Sequence, residues 1–453
     1  MKDFLKGKRR WLLGQGDSLM LGAFRVGYGL FMTIELIIFI RIGFIKNMFV
    51  LPAINFKYDY LTWLKAAPEL WMNCILAVLL VCTIAITLGV FFKWACRLFA
   101  IGFAYIFLLD KSVYNNHLYL FILLAILLSF TEADKVLSLR RKQNADLQVP
   151  RWQLFILQAQ FVIVYFYGGI AKLTYDWLVQ CQPIRFLIEQ VAPDHFLAPF
   201  IKNELSVYTL SYGGLLLDLL APVLLWFKPV RKWAIYPFII FHLMNSRIFS
   251  DIGIFPYVML FSLILFYDME NLPGGKWIIK WHSSVSGIEH KASSLPKLFG
   301  KSFVYKYVLV PYFVFQLLFP FRGHFLPNDL DWTTIGNRFS WRMKVDTRQI
   351  AEMKFTIIDP LTNNSFPVDI PTWINDMQVL NLSMDPRSVA DFANLLKTEA
   401  QIQGFKDAQV KAVMKLIYNR RPPQYFVDPE VDLSLVDYSP FKKLDWVYPL
   451  NKD

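Results

Sequence analysis

Nine stretches of the chain are apolar for long enough to be read as membrane segments. They cover residues 24–44, 73–92, 96–109, 118–131, 153–170, 211–227, 233–246, 252–267 and 304–320. A helix crossing the hydrocarbon needs about 20 mostly apolar residues. The third, fourth and seventh stretches are short by that measure, so the pattern predicts eight or nine transmembrane helices.

The loops carry a second pattern. Lys2, Lys6, Lys8, Arg9 and Arg10 precede the first stretch, and Lys93 and Arg97 lie between the second and third. Arg140, Arg141 and Lys142 follow the fourth, and Lys228, Arg231 and Lys232 follow the sixth. Lys276, Lys280, Lys291, Lys297, Lys301 and Lys306 follow the eighth. With nine spans these loops all fall on one side, and cytoplasmic loops are the ones enriched in Lys and Arg. The expected topology is a multi-pass protein with a cytoplasmic N-terminus and an extracytoplasmic C-terminal region. The membrane is then a bacterial inner membrane, or the ER membrane in a eukaryote.

From residue 321 the pattern changes. "MKVDTRQIAEMKFTIIDPLTNNSFPVDIP" (343–371) alternates like strands around an Asn/Asp/Pro turn. "DPRSVADFANLLKTEAQIQGF" (385–405) reads as a helix with Asp385 as N-cap and Pro386 in its first turn. "KDAQVKAVMKLIYNR" (406–420) reads as a second helix. The predicted organisation is a polytopic α-helical membrane domain over 1–320 and an extracytoplasmic α+β domain over 321–453.

Composition agrees: 18% of residues are charged, against about 25% in soluble domains, and 55% are hydrophobic. The formal charge of +12 invites a nucleic-acid reading. The basic residues, however, sit in loops between apolar runs, where they orient a membrane protein, so no nucleic-acid partner is expected. Cys74, Cys82, Cys96 and Cys181 form no CxxC and no zinc-like Cys/His spacing, so neither a disulfide framework nor a metal site is expected. The N-terminus lacks the compact apolar run and small-residue cleavage site of a signal peptide.

The unusual polar residues gather in the loops placed outside. They are "DKSVYNNHLY" (110–119), the end of "YFYGGIAKL" (165–173), "FHLMNSRIFSDIGIFPY" (241–257) and "PFRGHFLPNDLDWTTIGNRFSWRMKV" (320–345). Four distant segments on one face predict a pocket at the membrane edge. Lys172 has Gly169, Gly168 and Tyr165 at i−3, i−4 and i−7 on its own helical face, a notch against which a flat ring could lie. The plain alternatives are a snorkelling lysine and close helix packing at the glycines. Asn115, Asn116 and His117 lie at a helix start, where Asn is a favoured cap. His242, Asn245 and Ser246 share a face. Asp218 and Glu35 are costly at membrane depth without a partner such as Arg41 or another basic group. Arg322, His324, Arg338 and Arg342 form a basic cluster, either a solvated rim or a carboxylate site.

In order along the chain, "DKSVYNNHLYL", "YFYGGIAKLTYDWL", "YGGLLLDL", "FHLMNSRIFSDIGIFPYVML", "HFLPNDLDWTTIGNRFSWRM" and "FVDPEVDL" resemble the vitamin K-dependent γ-glutamyl carboxylases and their bacterial HTTM-domain relatives. The resemblance implies a lysine base for reduced vitamin K at Lys172 and an assisting histidine at His117, with Asn116 beside it. Beside it, the residue clusters above are read as a quinol site at Tyr165, Gly168, Gly169, His242, Asn245 and Phe249, and a substrate-carboxylate site at Arg322, His324, Arg338 and Arg342. The implied cofactor is a vitamin K hydroquinone, with O2 and CO2 as co-substrates and no metal. In that chemistry O2 attacks the hydroquinone, the strongly basic product removes the γ-proton of a glutamate, CO2 adds, and the quinol leaves as its epoxide. The implied partners are the lipid bilayer and a glutamate-containing peptide or protein. Two departures stand out. Animal enzymes carry two adjacent lysines, whereas residue 171 here is Ala171, and the chain stops soon after "DWVYPL", as expected of a short bacterial form. The competing readings are a quinol epoxidase without productive carboxylation and a non-enzymatic quinone- or lipid-binding membrane protein or transporter. No pair of similar hydrophobic halves of the transporter kind is visible.

Overall fold

In the computed structural model all nine apolar stretches are helical over most of their length. The structure describes residues 12, 14–140, 148–248, 252–267, 269–271, 274–286 and 305–451. The main helices are α1 (Ser18–Arg41), α2 (Glu69–Leu88), α3 (Phe92–Leu108), α4 (Asn116–Ser129), α5 (Trp152–Ala171), α6 (Glu204–Trp226), α7 (Lys228–Ile248), α8 (Phe255–Ser262) and α9 (Val310–Leu318). Among the described residues, five helices are long and apolar enough to cross a membrane: α1, α2, α5, α6 and the run Tyr307–Phe325 that contains α9. The chain is therefore a multi-pass membrane protein. α7 has 21 residues but carries Lys228, Arg231, Lys232 and Arg247, while α3, α4 and α8 are shorter and pack among the long helices.

Local signals explain where the helices start and stop. The Asn115 side chain accepts from the His117 N–H, capping α4 as its sequence predicts, and Asn203 caps α6 through the Ser206 N–H. Gly89 ends α2 with a left-handed φ of 69°. Arg25 of α1, wholly buried, donates to the carbonyls of Ile86 and Thr87 at the end of α2 and to those of Ala133, Val136 and Leu137 beyond α4. One guanidinium thus satisfies carbonyls that a helix end leaves unpaired. α5 and α6 approach closely because Gly169 carries no side chain; a Cβ there would lie 2.7 Å from the Leu219 backbone nitrogen. α8 returns to α1, where Gly27 leaves room for Phe261.

The C-terminal domain is an antiparallel sheet in the order β4-β3-β5-β6, with β3 (Arg348–Asp359), β4 (Asn364–Pro367), β5 (Gln409–Tyr418) and β6 (Gln424–Tyr425). The β1–β2 pair, Gln15–Asp17 with Gln148–Pro150, lies apart in the membrane domain. Two helices, α10 (Asp376–Leu382) and α11 (Pro386–Ile402), complete the C-terminal domain. Asp385 caps α11 by accepting from the Arg387 N–H, as the sequence predicts. The helix expected over 406–420 is instead the strand β5. Its inward residues Val410, Ala412, Met414, Leu416 and Tyr418 alternate strictly and are buried. Val413 and Ile417 on the other face blur that alternation into a helix-like spacing, and pairing with β3 from Arg348 to Ile358, across one irregularity after Ile350, decides for the strand.

The two parts are keyed together. Phe56, from the α1–α2 connection, is fully buried in the core of the C-terminal domain. Gln378 of α10 donates to the carbonyl of Ile54 at 2.6 Å and to Asp110 Oδ2 at 2.9 Å.

Candidate active site

Where the helix ends meet the C-terminal domain lies a cavity of about 620 Å³. α5, α6 and α7 form one wall, the start of α4 and its preceding loop form another, and residues between Thr334 and Asp346 form a roof. Its volume falls within the range of small-molecule sites, about 300–1,000 Å³.

Lys172 follows the last turn of α5 and points inward, only 7% exposed, rather than snorkelling. Its Nζ donates to the Gly168 carbonyl at 2.9 Å and to Asp218 Oδ2 of α6 at 2.7 Å. Asp218 is buried as well, so its partner at membrane depth is Lys172 and not Arg41. The third position on the nitrogen has no partner among the described residues, and Lys172 lines the cavity. The Trp177 ring covers the amine at 5.2 Å.

The notch expected at Gly168 and Gly169 is filled. Leu219 occupies the space at Gly169, and a Cβ at Gly168 would lie 3.3 Å from Asp218 Oδ2. These glycines let α6 approach and admit the ion pair. The open glycine is Gly213 of α6, which lines the cavity and has nothing within 4 Å of an added Cβ. Tyr165 and His242 meet through a hydrogen bond of 2.6 Å between the phenol and Nε2, and both line the cavity, as does Asn245. Phe249 lies outside the described residues. His117 lines the cavity and stacks on Phe255 at 5.8 Å. Asn116 ties this wall to the roof, donating to the Arg342 carbonyl at 2.9 Å and accepting from the Tyr114 hydroxyl at 2.8 Å.

The basic cluster divides. Arg338 and Arg342 line the cavity, whereas Arg322 and His324 do not. Arg322 is turned onto the carbonyls of Phe319 and Arg338 and over the Phe319 ring, and His324 is exposed. Arg338 binds Asp385 at 2.9 Å and Asn381 at 2.7 Å; Arg342 pairs with Asp331. A cation absent from the expected set joins them: Lys111 also binds Asp385, at 2.9 Å. Burial alone would raise the Asp385 carboxyl, but Lys111 and Arg338 together hold it well below the usual carboxylate range. Two cations on one carboxylate leave the cavity edge with an excess positive charge.

Residues 15–270 match the family model of the HTTM domain, and residues 301–453 match that of the vitamin K-dependent gamma-carboxylase, lumenal domain. The chain belongs to the vitamin K-dependent γ-carboxylase family. No solved structure matches it. In this member of the carboxylase family the cavity draws on both matched regions. Lys172, Asp218, Tyr165 and His242 come from the HTTM part, and Arg338 and Arg342 from the lumenal-domain part. The residues present fit a hydroquinone: a largely apolar cavity of ring-accommodating size, open at Gly213, with the Lys172–Asp218 and Tyr165–His242 pairs, His117 and Asn245 among its polar groups on the membrane side. Lys111 and the pairing of Asp218 with Lys172 were not foreseeable individually. The one available signal was that an aspartate at membrane depth requires a cation.

Proposed function

We propose that this protein is a vitamin K-dependent γ-glutamyl carboxylase that couples oxidation of a quinol to its epoxide with addition of CO2 to glutamate in a peptide or protein. The reading rests on Lys172, whose amine is held by Asp218 and the Gly168 carbonyl and opens onto a cavity that also reaches Arg338 and Arg342. When bound, the hydroquinone supplies, through its reaction with O2, the base strong enough to deprotonate a glutamate γ-carbon. As the neutral amine, with its two N–H on Gly168 and Asp218 and its lone pair toward the cavity, Lys172 takes the proton from a quinol hydroxyl, and Asp218 balances the ammonium that results. The Gly168 carbonyl fixes the direction of the amine. Tyr165 and His242 orient the ring, while Asn116 and His117 frame it from α4. Arg338, Arg342 and Lys111 attract the substrate carboxylate. The apolar walls exclude bulk water from the reacting groups. The loop charges support a cytoplasmic N-terminus, which puts the cavity mouth and the C-terminal domain on the extracytoplasmic side.

One observation favours a second reading, quinol epoxidation without productive carboxylation: Arg338 and Arg342 already hold Asp385 and Asp331, with which a substrate carboxylate must compete. The test is Lys172→Arg, assayed with reduced vitamin K for epoxide and with labelled CO2 and a glutamate peptide for carboxylation. Arginine keeps the charge but does not release its proton. Epoxidation should fall by about 10²–10⁴-fold, as for loss of a positioned acid–base group. Near wild-type epoxidation by Lys172→Arg removes the base assignment. Epoxide without CO2 incorporation by the wild type selects the second reading.

A further inference from the structure

Four residues beyond Lys172 the chain is gripped by the C-terminal domain. Both carboxylate oxygens of Asp176 accept from the Arg421 guanidinium, at 2.7 and 2.8 Å, and Oδ2 accepts from Asn419 Nδ2 at 2.5 Å. Arg421 stands just past the end of β5, in a turn where Asn419 and Arg420 take left-handed φ values of 46° and 67°. Asn419 is itself fixed, exchanging hydrogen bonds with the Thr347 backbone at 2.9 and 3.0 Å. The side chains of Arg421 and Asp176 are only 10% and 14% exposed. A shielded, two-pronged pair of this kind holds its partners far better than a surface contact.

The residue after Asp176 is Trp177, 2% exposed. Its Nε1 donates to the Ser211 carbonyl of α6 at 3.0 Å, and its ring lies over Lys172 Nζ at 5.2 Å. The single helical turn Tyr175–Leu178 therefore carries, side by side, the carboxylate held by the C-terminal domain and the ring that covers the lysine. Docking of the domains does not need this contact, because Phe56 and Gln378 already key them together elsewhere.

We propose that Asp176 and Arg421 are positioning residues for Lys172: through this clamp the C-terminal domain holds Trp177 over the amine and shields it from water. The proposal rests on the reading of Lys172 as the base. Trp177 also lines the cavity beside the amine, but the walls from α4, α6 and α7 do not depend on the clamp, so releasing it lowers turnover far more than it raises the quinol KM. The experiment uses the full-length protein in nanodiscs and two readouts. One is epoxide formation; the other is the rate at which trinitrobenzenesulfonate modifies Lys172, followed by mass spectrometry.

Arg421→Ala should lower kcat for epoxidation by about 10- to 100-fold, the range for a misplaced reacting group, with quinol KM changed less than about twofold and Lys172 labelled faster. Arg420→Ala, which breaks only the exposed pair with Glu189, should change neither readout. Arg421→Lys keeps the cation without the fork and should fall between wild type and Arg421→Ala. If Arg421→Ala does not fold, the Lys variant and the charge swap Asp176→Arg with Arg421→Asp carry the test, the swap restoring slow labelling. Unchanged Lys172 labelling in the folded Arg421 variants overturns the clamp, whatever their turnover. Faster labelling with unchanged turnover supports the clamp and instead refutes Lys172 as the base.

Discussion

Asp218→Asn keeps the shape of the side chain and one acceptor oxygen but removes the charge opposite Lys172. The contact is 2.7 Å long, within the range of charge-assisted hydrogen bonds, and both partners are buried. Deleting one member of a buried pair outright costs about 3–5 kcal/mol, because the other charge is left uncompensated. Asn still accepts a hydrogen bond, so the expected loss is nearer the worth of a bond to a charged group, about 1.5–3 kcal/mol. Lys172→Met deletes the cation outright and strands the carboxylate, so it should cost about 3–5 kcal/mol. The double variant Lys172→Met with Asp218→Leu removes both charges and fills the site with apolar atoms. Its stability should return close to wild type, since such replacements are often neutral or stabilising, while epoxidation stays lost. Thermal unfolding in detergent, with epoxide formation measured on the same preparations, separates the two effects. If the destabilisations of Lys172→Met and Asp218→Leu, each also made singly, add in the double to within about 0.5 kcal/mol, the two charges do not face each other and the reasoning fails.

Gly169→Ala should destabilise by about 1–3 kcal/mol, the usual result of overpacking, because its Cβ meets the Leu219 backbone. Gly213→Ala should leave stability unchanged and raise the quinol KM; thermal unfolding and quinol titration check both, and an unstable Gly213 variant would contradict the open cavity. Asp385 is held below its ordinary value by Lys111 and Arg338. A depressed folded-state carboxyl stabilises fully above the unfolded value of about 3.9 and loses that contribution only as pH falls below it. The stability gap between wild type and Asp385→Asn should therefore be constant across the neutral range and close only in acid, and a gap that narrows between neutral pH and about pH 5 would be inconsistent with it. Single cysteines near residues 115, 180 and 330 should react with an impermeant reagent from one side and a cysteine near 140 from the other. Labelling of 140 and 330 from the same side would break the nine-segment topology.

The apolar runs were legible because each helix announces itself locally, through length, hydropathy and caps such as Asn115 and Asp385. The Lys172–Asp218 pair was half legible: a buried aspartate demanded a cation, but nothing in the spacing said which, since the two are joined only by the packing of α5 on α6 through Gly169. The notch reading of Gly168 and Gly169 used the right face of α5 without its neighbour. Once α6 is present the free space moves to Gly213. β5 is ambiguous in the sequence because Val413 and Ile417 place apolar residues beside Lys411 and Lys415 on its outer face, and only the β3 ladder separates strand from helix there. Arg322 and His324 sat in the right segment, but the turn through residues 319–325 aims them away from the cavity. Lys111 escaped notice because its partner, Asp385, belongs to the other domain.

The division of the cavity between two family regions has a consequence for how the site can be taken apart. The lysine, its aspartate and the Tyr165–His242 pair all precede residue 270, while the cations of the roof follow residue 301. A chain cut between those points would keep Lys172, Asp218, Tyr165 and His242 but lose the apolar run Tyr307–Phe325. It would lack Arg338, Arg342 and Asp385, leave Lys111 without its carboxylate, and expose Phe56 to water. On the proposed function, the side chains that would meet the ring and the arginines that would meet the peptide carboxylate are thus carried by separate, consecutive stretches of one chain, so either set can be altered by changes confined to its own stretch.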